Sequence, residues 1–168
     1  MPGFTTKRLT ATPVSPSDRP FLTRLWQNNR VMHWIGGVLT DERVDATLAH
    51  DVHHWEEHGF GRWVLRANDA EIGHVKLAHW HGPRGDEVEV GYALLPAAWG
   101  QGFATEAVQG ALVFAVEHRV AGSVVAFVTV GNDSSFRVMQ RIGFDFEADY
   151  PDPDGTVRIY RRSLVGPD

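Results

Sequence analysis

The segment that most constrains this chain passes from an alternating strand through a glycine-rich turn into a helix. Val88, Val90, Tyr92 and Leu94 alternate with Glu87, Glu89, Gly91 and Ala93, which predicts a strand over 87–95 stopped by Pro96. Trp99-Gly100-Gln101-Gly102-Phe103-Ala104-Thr105-Glu106 comes next. It leads into a helix to about His118 whose buried stripe is Ala104, Val108, Ala111, Leu112 and Ala115. Glycines at 100 and 102 allow backbone dihedrals closed to other residues and let a ligand approach the chain. The helix offers unpaired N–H groups and the positive end of its dipole, a seat for phosphate. Ala104 is small enough for a diphosphate to rest against the first turn. A tight turn that binds nothing is the reading that spacing alone leaves open.

Two other phosphate motifs fail on their own chemistry. A Walker loop needs Gly-Lys-Ser/Thr, and no Lys or Arg occurs from Val88 through Val116. A dinucleotide fingerprint asks for a third glycine where Thr105 stands, and for an acidic residue about 20 positions on, where Val125 lies in an apolar strand.

The rest of the chain reads as one mixed α/β layer structure in the order β-α-α-β-β-β-α-β-α-β-β. A strand is expected over 8–12 and a short helix through Phe21, Leu22, Leu25 and Trp26, capped by Ser17 or Asp18. Thr40 opens a longer helix to about His58 with a core stripe of Val44, Leu48, Val52 and Trp55. Strands follow over 62–66 and 71–80, parted by the turn Ala67-Asn68-Asp69-Ala70, and a loop over 81–86 precedes the strand at 87. Residues 123–130 are nearly all apolar, as in a central strand covered on both faces. A helix from about Ser134 to Ile142 ends at Gly143, and a hairpin of 144–150 with 157–164 closes the chain.

Composition excludes several classes of function. The 168 residues suit one domain, 1–168. Sixteen Lys+Arg against 21 Asp+Glu leave a net charge of −5, a poor match for nucleic acid. Zero cysteines exclude disulfides, thiolate nucleophiles and Cys-ligated metals. The first residues lack the apolar core of a signal peptide, Pro2 removes myristoylation, and no apolar stretch is long enough to span a bilayer. The expectation is a soluble protein of a reducing cytoplasm, without nucleic-acid or membrane partners.

Glu89-Val90-Gly91-Tyr92-Ala93-Leu94-Leu95-Pro96, followed by the turn at Trp99–Ala107, resembles the acyl-CoA-binding region of the GNAT acetyltransferase superfamily, in particular its ribosomal-protein N-acetyltransferase (RimJ/RimL-like) branch. Asn132-Asp133-Ser134-Ser135 with Val138 and Gly143-Phe144 is similar to a second motif of that branch, and Thr6-Lys7-Arg8-Leu9 to its opening. The resemblance implies a GNAT-like, mixed but mostly antiparallel sheet of six to seven strands flanked by about four helices, with acyl-CoA between two splayed central strands. It implies an acetyl-CoA-dependent N-acetyltransferase acting on a primary amine such as a protein N-terminal α-amine, as a monomer or homodimer and without a required metal. Two departures stand out. Trp99 replaces the usual Gln or Arg at the head of the turn, and Met139 replaces a Tyr that many members use to protonate the leaving thiolate.

On that resemblance the acetyl-CoA site comprises Leu94, Leu95, Trp99, Gly100, Gln101, Gly102, Phe103, Ala104, Thr105, Asn132, Ser135, Phe136, Arg137 and Arg141. With no cation in the turn, the diphosphate would rest on backbone N–H groups of 101–105. Pantetheine amides would pair with the backbone at 93–95. Glu89 is the candidate base and Ser135 the candidate acid; a surface-strand role for Glu89 and a helix-cap role for Asn132 or Ser135 compete with these. Trp34, Trp80 and Tyr92 are candidate acceptor-site residues, and loops 29–40 and 79–86 the candidate source of specificity. His50, His54 and His58 recur every four residues, a spacing that can ligate zinc, but their arc turns from the Val44–Trp55 stripe and is expected to face solvent. Core or rim packing is the competing role for the tryptophans, and a catalytically degenerate acyl-CoA or protein binder, or a small-molecule amine acetyltransferase, is the competing reading of the whole.

Overall fold

Eight strands form a single sheet in a computed structural model of the chain, which describes residues 1–82, 85–152 and 155–164. In chain order they are β1 (Phe4–Thr5), β2 (Thr10–Pro13), β3 (Arg62–Ala67), β4 (Ala70–Gly82), β5 (Gly85–Leu94), β6 (Ser123–Thr129), β7 (Asp145–Asp152) and β8 (Gly155–Ser163). Their order across the sheet is β1-β2-β3-β4-β5-β6-β8-β7. The helices are α1 (Arg19–Trp26), α2 (Asn29–Met32), α3 (Asp41–His58), α4 (Phe103–Glu117) and α5 (Asp133–Ile142). The mixed, mostly antiparallel sheet matches the expectation from sequence. The two-residue β1 and one-turn α2 are additions too short to leave a periodic signal.

Local chemistry sets the boundaries. Asn68 and Asp69 both take positive φ, 48° and 64°, so the β3–β4 link is a two-residue hairpin turn of the kind that suits strand twist. Thr40 caps α3 by accepting from the Arg43 N–H, and Gly59 ends it at φ 74°. Asn132 caps α5 through the Ser135 N–H, and Gly143 ends it at φ 78°. At Gly73 a Cβ would lie 2.2 Å from the Ala93 carbonyl oxygen, so no other residue lets β4 and β5 close there. The core beside these strands is aromatic, with Trp55, Trp63 and Phe114 meeting edge to face at 4.9–6.4 Å.

Two expectations need correction. The segment 79–86 is mostly ladder rather than loop: β4 and β5 stay in register from Gly73↔Leu94 to Gly82↔Gly85, and Pro83 and Arg84 lie outside the described residues. The second concerns α3, whose buried face holds Asp51 and His54 besides Val44, Leu48 and Trp55, while Val52 is only half-buried. A buried polar residue mimics a solvent-facing one in sequence; here partners satisfy it. Asp51 pairs with Arg62 at 2.5 Å, and His54 Nδ1 donates to the Phe60 carbonyl at 2.8 Å.

The seam that positions the site is the junction of β5 with β6, the one parallel pairing among the described strands. Its register holds one residue pair, Glu89↔Val125, after which the strands part. Among the described residues no helix is long and apolar enough to cross a membrane.

Candidate active site

The divergence of β5 and β6 opens a cleft of about 1540 Å³. Its walls begin where the pairing ends: Glu89 to Leu94 line it from β5, and Ala126 to Thr129 from β6. This volume exceeds the roughly 300–1,000 Å³ of a typical small-molecule pocket.

The free edge of β5 supplies backbone donors and acceptors. The Leu95 N–H donates to Ile72 at 2.8 Å, so Leu95 faces β4. Alternation along an antiparallel ladder then turns the N–H and C=O groups of Tyr92 and Leu94 to the opposite edge, the one β6 leaves. One of these groups has a partner, since Trp99 Nε1 donates to the Leu94 carbonyl at 2.7 Å. That oxygen, within the 93–95 stretch expected to pair with pantetheine, is thus engaged by Trp99, and the open edge offers the Leu94 N–H and the backbone groups of Tyr92.

At the far end of the cleft, Gly100 and Gly102 both adopt left-handed backbone, φ 73° and 80°, and Gly102 is the N-cap of α4. Gly100 has open space around a notional Cβ, so conformation is what demands the glycine there. The first intrahelical donor of α4 is Glu106, to Gly102 at 3.1 Å. The N–H groups of Phe103, Ala104 and Thr105 precede it and have no helical acceptor. All three residues line the cleft.

A cation does reach this turn, although from elsewhere in the sequence. Arg8 Nη1 donates to the Gln101 carbonyl at 2.8 Å, its guanidinium covers the Phe103 ring at 4.5 Å, and Nε pairs with Glu106 at 2.6 Å. Burial opposes the charge on Glu106, but hydrogen bonds from Thr6 and Arg8 outweigh it and hold the carboxyl below its ordinary range. This ties the N-terminal segment to the turn. Arg30 lies over the Trp99 ring at 5.1 Å, and Arg137 and Arg141 line the cleft from α5.

At the point of divergence Glu89 is ion-paired through Oε1 with Lys76. Across the cleft, Tyr92 Oη donates to Ser135 Oγ at 2.9 Å. Burial pushes the Tyr92 phenol upward, against the hydrogen bond to Ser135, so it stays protonated. Having accepted from Tyr92, Ser135 can direct its own proton into the cleft. Asn132 is the helix cap: its Oδ1 accepts from the Ser135 N–H and from Ser134 Oγ. Met139, 2% exposed, lies behind in the wall.

A buried polar network also borders the cleft. Arg62 bridges Asp51 and His74, stands 5.0 Å from the Trp26 ring, and shares His74 with the Trp26 indole N–H at 3.1 Å. Burial first, then the charges of Arg62 and Lys76, hold His74 well below the ordinary imidazole range, so it is neutral. Over the mouth, Trp34 accepts from Thr129 Oγ1 at 3.1 Å through its carbonyl. Its ring lies above Gly131, where a Cβ would approach to 3.3 Å. The segment after α2 thus crosses from one arm of the cleft to the other.

Residues 8–145 match the acetyltransferase (GNAT) domain family. The chain belongs to the GNAT acetyltransferase family. It is 28% identical over 141 residues to the uncharacterized N-acetyltransferase YnaD of Bacillus subtilis, a match covering 83% of this chain and 81% of YnaD. An acetyltransferase structure from Agrobacterium tumefaciens superposes with TM-score 0.83 at 27% identity, covering 96% of this chain and 94% of the other. Two more distant structures share the fold. One modifies the N-terminal serine of ribosomal protein L7/L12 in Salmonella typhimurium (TM-score 0.80, 17% identity, 94% and 96% covered). The other is the spermidine N-acetyltransferase of Vibrio cholerae, with CoA and spermine (TM-score 0.79, 18% identity, 95% and 97% covered). This chain is accordingly an acyltransferase of a family that uses acetyl-CoA.

Within this GNAT domain, Glu89, Tyr92, Leu94, Trp99, Gly100, Gly102, Phe103, Ala104, Thr105, Asn132, Ser135, Arg137, Arg141 and Trp34 meet in the one cleft. Four other residues singled out from sequence stand outside its wall. Leu95 is turned to Ile72, and Gln101 Nε2 donates to the Ala97 carbonyl. Phe136 approaches Tyr160, and Trp80 packs on Phe127 at 4.8 Å. Lys76, Arg30 and the Asp51–Arg62–His74–Trp26 network carry no local motif, because their roles come from strand pairing and helix placement. Arg8 alone left a sign, in the Thr6–Leu9 opening.

Proposed function

We propose that this acetyltransferase moves an acetyl group from acetyl-CoA directly to a primary amine inside the cleft, with a protein or peptide N-terminal α-amine as the first acceptor class. The observation that carries the reading is the meeting of two backbone surfaces with free groups in one cavity: the β5 edge at Tyr92 and the Leu94 N–H, and the first turn of α4. The N–H groups of Phe103, Ala104 and Thr105 receive the diphosphate, with Arg137 and Arg141 available to the outer phosphate. Tyr92 and Leu94 hold the pantetheine amides. The Leu94 N–H points where charge develops on the thioester oxygen, a contact worth about 100- to 1000-fold in rate.

Glu89 takes a proton from the acceptor ammonium. Lys76 occupies Oε1, which leaves Oε2 for the amine or a bridging water. The free amine attacks the thioester carbon, and the tetrahedral adduct, its oxyanion held by the Leu94 N–H, collapses with loss of the C–S bond. Ser135, oriented by Tyr92, relays the surplus proton from the attacking nitrogen to the departing sulfur. Met139 can take no such part, and Asn132 Oδ1 is committed to the α5 cap, so a pantetheine contact of Asn132 falls to its Nδ2. Trp34 and the rest of the segment after α2 shape the acceptor entrance. No metal enters this chemistry, and neither oligomerisation nor nucleic acid is needed for it.

Support for the α-amine comes from the Glu89–Pro96 and Asn132–Phe144 phrases of the RimJ/RimL-like branch. The fold itself serves both a ribosomal protein and spermidine in other members, so it does not choose between them. Thiol release from acetyl-CoA measured with N-terminal peptides, free amino acids and polyamines tests the reading. Turnover confined to peptides supports it; turnover confined to polyamines or amino acids replaces the acceptor. No turnover, with acetyl-CoA bound equally by the wild type and Ser135→Ala, makes the protein a binder.

A further inference from the structure

The histidines of α3 do not face solvent as a set. His54 and His58, one helical turn apart, meet His79 of β4, and their ligand nitrogens all lie within 4.8 Å of one another. Ring centroids are 4.5 Å apart for His54 and His58, 4.5 Å for His58 and His79, and 5.6 Å for His54 and His79. We propose that His54, His58 and His79 bind a divalent transition-metal ion, zinc foremost, which fastens the end of α3 to β4 outside the catalytic cleft. None of the three lines that cleft.

Several properties of the cluster suit a metal. Three imidazoles with no thiolate are a donor set for zinc and its neighbours rather than for magnesium or calcium. His54 is anchored as metal-binding histidines are, its Nδ1–H donating to the Phe60 carbonyl at 2.8 Å, so its lone pair is on Nε2. Burial is graded from His54, 7% exposed, to the exposed His58, which leaves a way in from solvent. The Glu57 carboxylate, 3.5 Å from His58 Nε2, offsets part of the ion's charge.

One contact opposes binding. The backbone N–H of His79 donates to His54 Nε2 at 3.2 Å, on the stretch of β4 that runs on past the first residue of β3. An ion on that nitrogen displaces a long hydrogen bond, so micromolar affinity is expected rather than the much tighter binding of a zinc finger.

Calorimetric titration of metal-free protein with zinc sulfate tests the site. One equivalent should bind, with affinity reduced roughly tenfold to a hundredfold or more in both His58→Ala and His79→Ala. His50→Ala, on the same helix but outside the cluster, should bind as the wild type does. His58 is exposed, so its loss leaves the fold intact, and acetyl-CoA titration or circular dichroism reports folding of His79→Ala. A wild type that takes up no zinc at millimolar concentration, or affinity unchanged in either folded variant, overturns the proposal. The test is independent of the catalytic reading.

Discussion

The two edges of β5 are made of the same backbone and serve opposite ends. Toward β4 the strand is zipped over ten register pairs, from Gly73↔Leu94 to Gly82↔Gly85. Toward β6 it is held at Glu89↔Val125 alone and then released. A closed ladder satisfies its own polar groups and contributes to stability. An open one leaves donors and acceptors to a ligand and contributes nothing until that ligand arrives. The side chains follow the same division: the aromatic core of Trp55, Trp63 and Phe114 belongs to the closed part of the sheet, while Glu89, Tyr92 and Ser135 stand at the opening.

If this division holds, substitutions at the opening change rate without changing stability. The largest effect is expected from Glu89→Gln, which should lower kcat about 100- to 10,000-fold with the denaturant midpoint nearly unmoved. A kcat within threefold of wild type would remove Glu89 as the base. Beside the opening, Asp51→Ala leaves the Arg62 guanidinium buried without its counter-ion and should cost about 3–5 kcal/mol in urea unfolding. A loss below 1 kcal/mol would place that network outside the stabilising part of the molecule.

The neutral, buried His74 gives this network a pH signature. Its folded-state pKa is depressed, so as pH falls the unfolded chain takes up the proton first, near the ordinary imidazole value of about 6.5. Stability is fully present above that pH and declines below it, by about 1.4 kcal/mol per pH unit from His74 alone, until the folded-state value is reached. Urea midpoints at pH 7.5 and 5.5 measure the slope, and a flat profile would contradict it. Smaller effects sharpen the same contrast. Ser135→Ala should lower kcat about 100-fold with acetyl-CoA affinity intact, and Tyr92→Phe, which removes only the orienting hydrogen bond, about tenfold. Arg137→Ala should weaken acetyl-CoA binding only a few-fold, less at high salt, because that side chain is exposed.

The legible parts of the molecule were those whose cause is local. Alternation over 87–95, glycines at positive φ in the turn, Thr40 and Asn132 at helix starts, and Gly143 at a helix end all act through neighbours in sequence. The residues that escaped act through partners far along the chain. Lys76 meets Glu89 because β4 and β5 pair, and Arg8 meets Glu106 across 98 positions. His54 looked solvent-facing because a polar residue on a helix ordinarily is; its burial depends on where β3 begins and β4 continues. Seven of the eight strands were readable for a related reason, since β1 is two residues long and is held by pairing with β2.

The central claim is that the open edge of β5 and the start of α4 together hold acetyl-CoA. Calorimetric titration of acetyl-CoA into the wild type and Ala104→Glu tests it most directly, because a carboxylate in the first turn of α4 sets a negative charge against the diphosphate. Micromolar binding by the wild type, weakened about 100-fold or more in a variant that melts normally, is the expected result. No binding by the wild type, or equal binding by both proteins, would contradict the account.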